Sequence, residues 1–172
     1  SLAQDLSDAI NLQQLELYYQ PLIAFDQLTM VGFEALIRWN HPTLGLVSPA
    51  EFIPLAEKTG LIHRIGKWVL HQAVADWAAL RPYCTHNTQH QPFVSINLSA
   101  PELAGGAIVQ EIQDCLHRCG MQPAELRIEL TETIIIQNME AVSRSLRELR
   151  ALGVGIALDD FGTGYAGLDY LQ

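Results

Sequence analysis

Residues 126–160 read LRIELTETIIIQNMEAVSRSLRELRALGVGIALDD. The opening LRIELTE has the length and apolar content of a strand. From Met139 to Leu152 the apolar residues Met139, Val142, Leu146, Leu149 and Leu152 recur at helical spacing, and GVGIALDD is a second strand that stops at two adjacent aspartates. Strand, helix and strand make one βαβ unit, whose crossover is long enough for parallel pairing. The same unit occurs one step upstream, where FVSINLS (93–99) leads through a helix over about 106–118 into LRIELTE. Strands alternating with helices indicate an α/β fold with a mostly parallel sheet. The apolar residues within these strands read as nearly continuous, as expected where protein covers both faces.

Towards the N-terminus the pattern changes. LELYYQPLIAF, interrupted at Gln20 and Pro21, and MVGFEALIRW read as two strands joined through Asp26 and Gln27 into a hairpin. In HPTLGLVSPAEFIPLAEKTGLI (41–62), Ser48 followed by Pro49 and Glu51 marks a helix start, and Gly60 marks its end. A longer amphipathic helix is expected from Ile62 to Leu80, closed by Pro82 and the polar loop 84–91. No linker or low-complexity stretch divides the chain, so residues 1–172 read as a single domain.

The composition narrows the function. With 19 acidic against 10 basic residues the net charge is −9, which argues against nucleic-acid polymers as partners. An anionic ligand would need bound cations as intermediaries. Three cysteines without scaffold-like spacing suit a reducing compartment. Cys115, His117 and Cys119 fall within a helical pattern, where packing explains them better than a zinc site lacking a fourth ligand. The longest apolar window is broken by Lys67, His71, Gln72 and Asp76 and is no membrane span. The first residue is Ser1, as expected of a domain excised from a longer protein whose own membrane attachment is left open.

Four strands run into an oxygen-bearing side chain near their C-terminal ends: Glu34, Asn97, Glu129 and Asp159. The last three recur at intervals of one strand–helix unit, roughly 30 residues. Parallel strands present their C-terminal ends on one side, so these groups converge on one pocket. An all-oxygen set suits Mg²⁺, Mn²⁺ or Ca²⁺ rather than zinc. Taken singly, each acid could instead cap a helix or pair with a surface arginine. Asp160 joins Asp159 only if the strand ends between them. Two carboxylates there could hold two ions about 4 Å apart, as in phosphoester hydrolysis. Arg38, four residues after Glu34 and on its face, could meet a phosphate or form a salt bridge to a neighbouring acid. Beyond the aspartates, Gly162, Gly164 and Gly167 spell G-x-G-x-x-G. Two carboxylates before that turn would repel a pyrophosphate, which argues against a dinucleotide fingerprint.

Five ordered motifs, EALIRW (34–39), HPTLGLVSPAEFIPLAEKTGLI, INLS (96–99), IELTET (128–133) and LDDFGTGYAGL (158–168), resemble those of the bacterial EAL domain. The resemblance runs from about Leu15 to Gln172 and implies a phosphodiesterase that hydrolyses cyclic di-GMP to linear pGpG. It implies a TIM-like (β/α) barrel with an antiparallel first strand. About five strands are expected here, the N-terminal two-thirds of a barrel that takes roughly 250 residues. It also implies two Mg²⁺ or Mn²⁺ ions: Glu34, Asn97, Glu129 and Asp159 match ligands of the first, and Asp160 matches a ligand of the second. Glu34, Asp159 and Asp160 are thereby the catalytic candidates. Arg38 and Gln20 match substrate-side positions, and Glu132 matches the anchor of the loop after Asp160. In that loop, Ala166 and Gly167 replace the usual serines. The resemblance further implies a cytoplasmic domain, a homodimer and no membrane contact of its own. The alternative is a non-catalytic receptor for the same nucleotide.

Overall fold

In the computed structural model, residues 1–26, 28–84, 90–131 and 138–159 are described. Helix α1 (Leu2–Asn11) precedes strands β1 (Leu15–Ala24), β2 (Thr29–His41) and β3 (Gly45–Val47). Helices α2 (Pro49–Thr59) and α3 (Ile62–Leu80) follow, then β4 (Phe93–Leu98), α4 (Ala100–Gly105) and α5 (Ala107–Cys119). The described part ends with β5 (Leu126–Thr131), α6 (Met139–Leu152) and β6 (Gly155–Asp159).

The sheet runs β1-β2-β4-β5-β6, with β1 antiparallel to β2 and the others parallel. This is the expected barrel wall with an antiparallel first strand. A further strand, β3, was not expected; it is three residues long and among the described residues pairs only with β2. Nor do Gln20 and Pro21 interrupt β1, which runs unbroken to a register shift at Leu22 and Ile23. Among the described residues β1 pairs on one side only, and an edge strand tolerates a proline that cannot donate to a ladder.

The parallel strands alternate, which corrects the expectation of apolar residues on both faces. Val94, Ile96 and Leu98 of β4, with Leu126, Ile128 and Leu130 of β5, are buried in the core cluster together with α3 and α5 side chains. The intervening positions are Phe93, Ser95 and Asn97 on β4 and Arg127 and Glu129 on β5, so the polar side chains collect on the other face, beside Phe93 at its start. Period-two side-chain alternation therefore sorts each strand into a structural face and a chemical one.

Helix α2 starts and stops where expected. Ser48 Oγ accepts from the Ala50 amide, and Gly60 closes the helix at φ 81°, a left-handed conformation that glycine adopts without a Cβ clash. Helices α3 and α6 match their predicted spans. Two helices escaped the sequence reading. Helix α1 is capped by Ser1 and buries Leu6 and Ala9. Helix α4 begins with a capping box in which Ser99 and Glu102 satisfy each other's backbone groups. Cys115 is buried in α5 and Cys119 is exposed, both free thiols, and no group of three His, Cys, Asp or Glu side chains is placed to hold a metal among the described residues.

Candidate active site

Strand register determines which of the candidate residues meet. Gln20 of β1 lies opposite Glu34 of β2, Glu34 opposite Ser95 of β4, and Asn97 of β4 opposite Glu129 of β5. All therefore lie on the polar face. Asn97 Nδ2 donates to Glu34 Oε2 at 3.2 Å, joining side chains 63 positions apart in sequence. Ser95 Oγ donates to Glu129 Oε1 at 2.7 Å. The backbone of Asp159 pairs with Thr131 at the end of β6, one step beyond the Asn97 and Glu129 level; its side chain lies outside the described residues. Asp160, Glu132 and the glycine loop also lie outside them.

Strands β2 and β4 pair only through residues 32–34 and 93–95 and then part. The gap opens into a cleft of about 470 Å³ lined by Glu34, Arg38, Asn97 and Ser99 together with apolar side chains such as Ile53 and Val69. Arg38 projects here, its guanidinium 5.2 Å over the Tyr18 ring and its Nη1 donating to the Ile37 carbonyl at 2.9 Å. Among the described residues it forms no ion pair. Stacking and a backbone bond hold the planar fork while leaving donors for an anion.

Glu102 borders the cleft from α4. Its Oε2 accepts from the Ser99 amide at 2.7 Å and from Ser99 Oγ at 2.9 Å, whereas Oε1 is buried without a partner. Burial pushes this carboxyl up from 4.5 to about 7, with the Ser99 hydrogen bonds opposing the shift and the charge of Glu57 adding to it. Oε1 lies against Gly66 of α3, where a Cβ would sit 1.5 Å away, so a side chain at Gly66 would force the carboxyl from its capping position.

The donor chemistry fits divalent magnesium or manganese. Glu34, Asn97 and Glu129 offer only oxygen ligands on one face, and their separate hydrogen bonds restrict their orientation. Sequence reading missed Tyr18 and Ser95. Tyr18 sits two positions before Gln20, so strand alternation was the available signal for it. Ser95 precedes Asn97 by two and carries the same signal.

The EAL domain family model matches residues 3–172. The Pseudomonas aeruginosa protein named bifunctional diguanylate cyclase/cyclic di-GMP phosphodiesterase MucR is 40% identical over 99% of this chain and 24% of its own length. The protein named cyclic di-GMP phosphodiesterase NbdA, from the same organism, is 38% identical over 99% of this chain and 21% of its own. The chain thus spans about a quarter of the length of these relatives. Among solved structures, the PaMucR phosphodiesterase in its c-di-GMP complex matches with a TM-score of 0.83 and 40% identity, covering 99% of this chain and 67% of that one. With the family model matched over residues 3–172 and relatives about 40% identical over nearly the whole chain, the chain belongs to the EAL domain family.

Proposed function

We propose that this chain supplies the N-terminal part of the active site of a metal-dependent phosphodiesterase that hydrolyses cyclic di-GMP to linear pGpG. The observation that carries the reading is the Asn97–Glu34 hydrogen bond at the point where β2 and β4 separate, with Glu129 directly opposite Asn97. Three oxygen-bearing side chains from three motifs thereby share one face. Relatives named as cyclic di-GMP phosphodiesterases, and a related structure whose name includes the nucleotide, support the choice of substrate.

In this reading Glu34, Asn97, Glu129 and Asp159 hold one Mg²⁺ or Mn²⁺ ion, and Asp160 helps to hold a second. Bound there, the ions would polarise a phosphoryl oxygen and make water a competent nucleophile near neutral pH. Arg38, held over Tyr18, orients a substrate phosphate and offsets its charge against the acidic surroundings. Gln20, across from Glu34, borders the substrate from the β1 side. Glu132 anchors the loop after Asp160. Further ligands would come from chain beyond the described residues. The homodimer and the cytoplasmic setting belong to the same proposal. No helix among the described residues is long and apolar enough to cross a membrane.

The test is incubation of the full-length protein with cyclic di-GMP and Mg²⁺, followed by chromatography for pGpG. Turnover is expected, with loss in excess metal chelator and recovery on adding Mg²⁺ back. Glu34→Ala should reduce turnover by at least about 100-fold, as expected when a catalytic-metal ligand is lost. Near-normal activity in that variant would refute the site, and binding without product would favour a receptor.

A further inference from the structure

Ser95 has 0% exposure, although it stands on the polar face of the sheet. Its neighbours on that face are Glu34 of β2 and Arg127 of β5, and its hydroxyl reaches along the sheet to Glu129 Oε1 at 2.7 Å. A glutamate has three side-chain torsions, so without a partner its carboxylate samples several directions from a fixed backbone. A hydroxyl donating to a carboxylate makes a short, charge-assisted hydrogen bond that selects among them. Arg127, two positions before Glu129 on the same face, has its guanidinium over the Phe93 ring at 3.7 Å. The cation is stacked on an aromatic group and also attracts the Glu129 carboxylate through its charge, while the serine hydroxyl makes the short hydrogen bond to it.

We infer that Ser95 is a positioning residue, whose hydroxyl orients the Glu129 carboxylate for divalent-metal binding. The inference rests on the metal-site reading above. Ser95 needs no direct contact with ion or substrate: it shares β4 with Asn97 and bonds the carboxylate facing Asn97 from β5. One strand thus carries both a candidate ligand and the support for its neighbour. Outer hydrogen bonds of this kind restrict a ligand before the ion arrives, and their removal typically weakens metal binding by about 10- to 100-fold.

The experiment titrates Mn²⁺ into the full-length protein by calorimetry, comparing wild type with Ser95→Ala, Ser95→Thr and Glu129→Ala. Thermal unfolding is followed in parallel to verify folding. Ser95→Ala is expected to weaken Mn²⁺ binding by about 10-fold and to raise the Mn²⁺ concentration needed for half-maximal turnover by a similar factor. The KM for cyclic di-GMP at saturating metal should stay within about two-fold of wild type, because the serine acts on the ligand and not on the nucleotide. Ser95→Thr, which keeps the hydroxyl, should restore binding. Wild-type Mn²⁺ affinity in a folded Ser95→Ala protein, with Glu129→Ala impaired, overturns the role of Ser95 and leaves the metal site standing. Wild-type affinity in Glu129→Ala overturns the metal-site reading and this inference with it. If Ser95→Ala does not fold, Ser95→Cys fills the site with a somewhat larger atom, weakens the donor and is judged by the same readings.

Discussion

Glu102 connects burial, helix capping and pH at a single residue. It is 3% exposed and its carboxyl is raised to about 7, above the unfolded value of 4.5. Between those values the native chain retains a proton that the unfolded chain has lost, so raising the pH through that window lowers stability. Below it the contribution is fully present, and above it the loss is complete. The melting temperature is therefore expected to fall between about pH 5 and about pH 7 and then level with respect to this group. Glu102→Gln keeps an oxygen for Ser99 but cannot ionise, and should remove that part of the slope. Thermal unfolding across the range checks this, and an unaltered slope would contradict the assignment. The acid was visible in the sequence, three positions after Ser99, but its burial was not. That burial depends on α3 presenting Gly66 at the point where the carboxyl lands.

At the scale of elements, the narrow junction between β2 and β4 sets the site. Only residues 32–34 and 93–95 pair across it, and this places Glu34 beside Ser95. A Cβ at Gly32 would stand 2.4 Å from the Phe93 carbonyl oxygen, a backbone atom that cannot turn aside. Gly32→Ala should therefore force the strands apart and destabilise the fold by about 1–3 kcal/mol, read as a lower midpoint in urea unfolding. Turnover should decline by more than the lost folded fraction, because Glu34 moves with the strand. Helices α3 and α6 were legible from apolar spacing and punctuation. Helix α4, at six residues, and β3, at three, were too short to show a period. Helix α1 had a serine cap and apolar residues Leu2, Leu6, Ala9 and Ile10, but its docking partners lie far along the chain.

Across the whole molecule, α1 is tied to the sheet through the core and through a polar clasp. His41 Nε2 meets Asp5 Oδ2 at 2.9 Å, while Nδ1 accepts from the Thr43 and Leu44 amides at 3.1 Å each. Those acceptor bonds assign the ring proton to Nε2, which donates to Asp5. Leu6 is completely buried beside them in the common core. Leu6→Ala is expected to cost about 2–5 kcal/mol and to lower one cooperative transition rather than release α1 separately. Circular dichroism and tryptophan fluorescence should give coincident melts, and separate midpoints would show an independent helix. The order of strands and long helices and the identity of the oxygen-bearing motifs are readable along the chain, because periodicity, caps and strand ends are local properties. The hydrogen bonds from Asn97 to Glu34 and from Ser95 to Glu129, and the seat of Arg38 over Tyr18, emerge from the folded sheet alone. Those relations depend on strand register, which sets residues remote in sequence at the same level of one face and is written in no single stretch of chain.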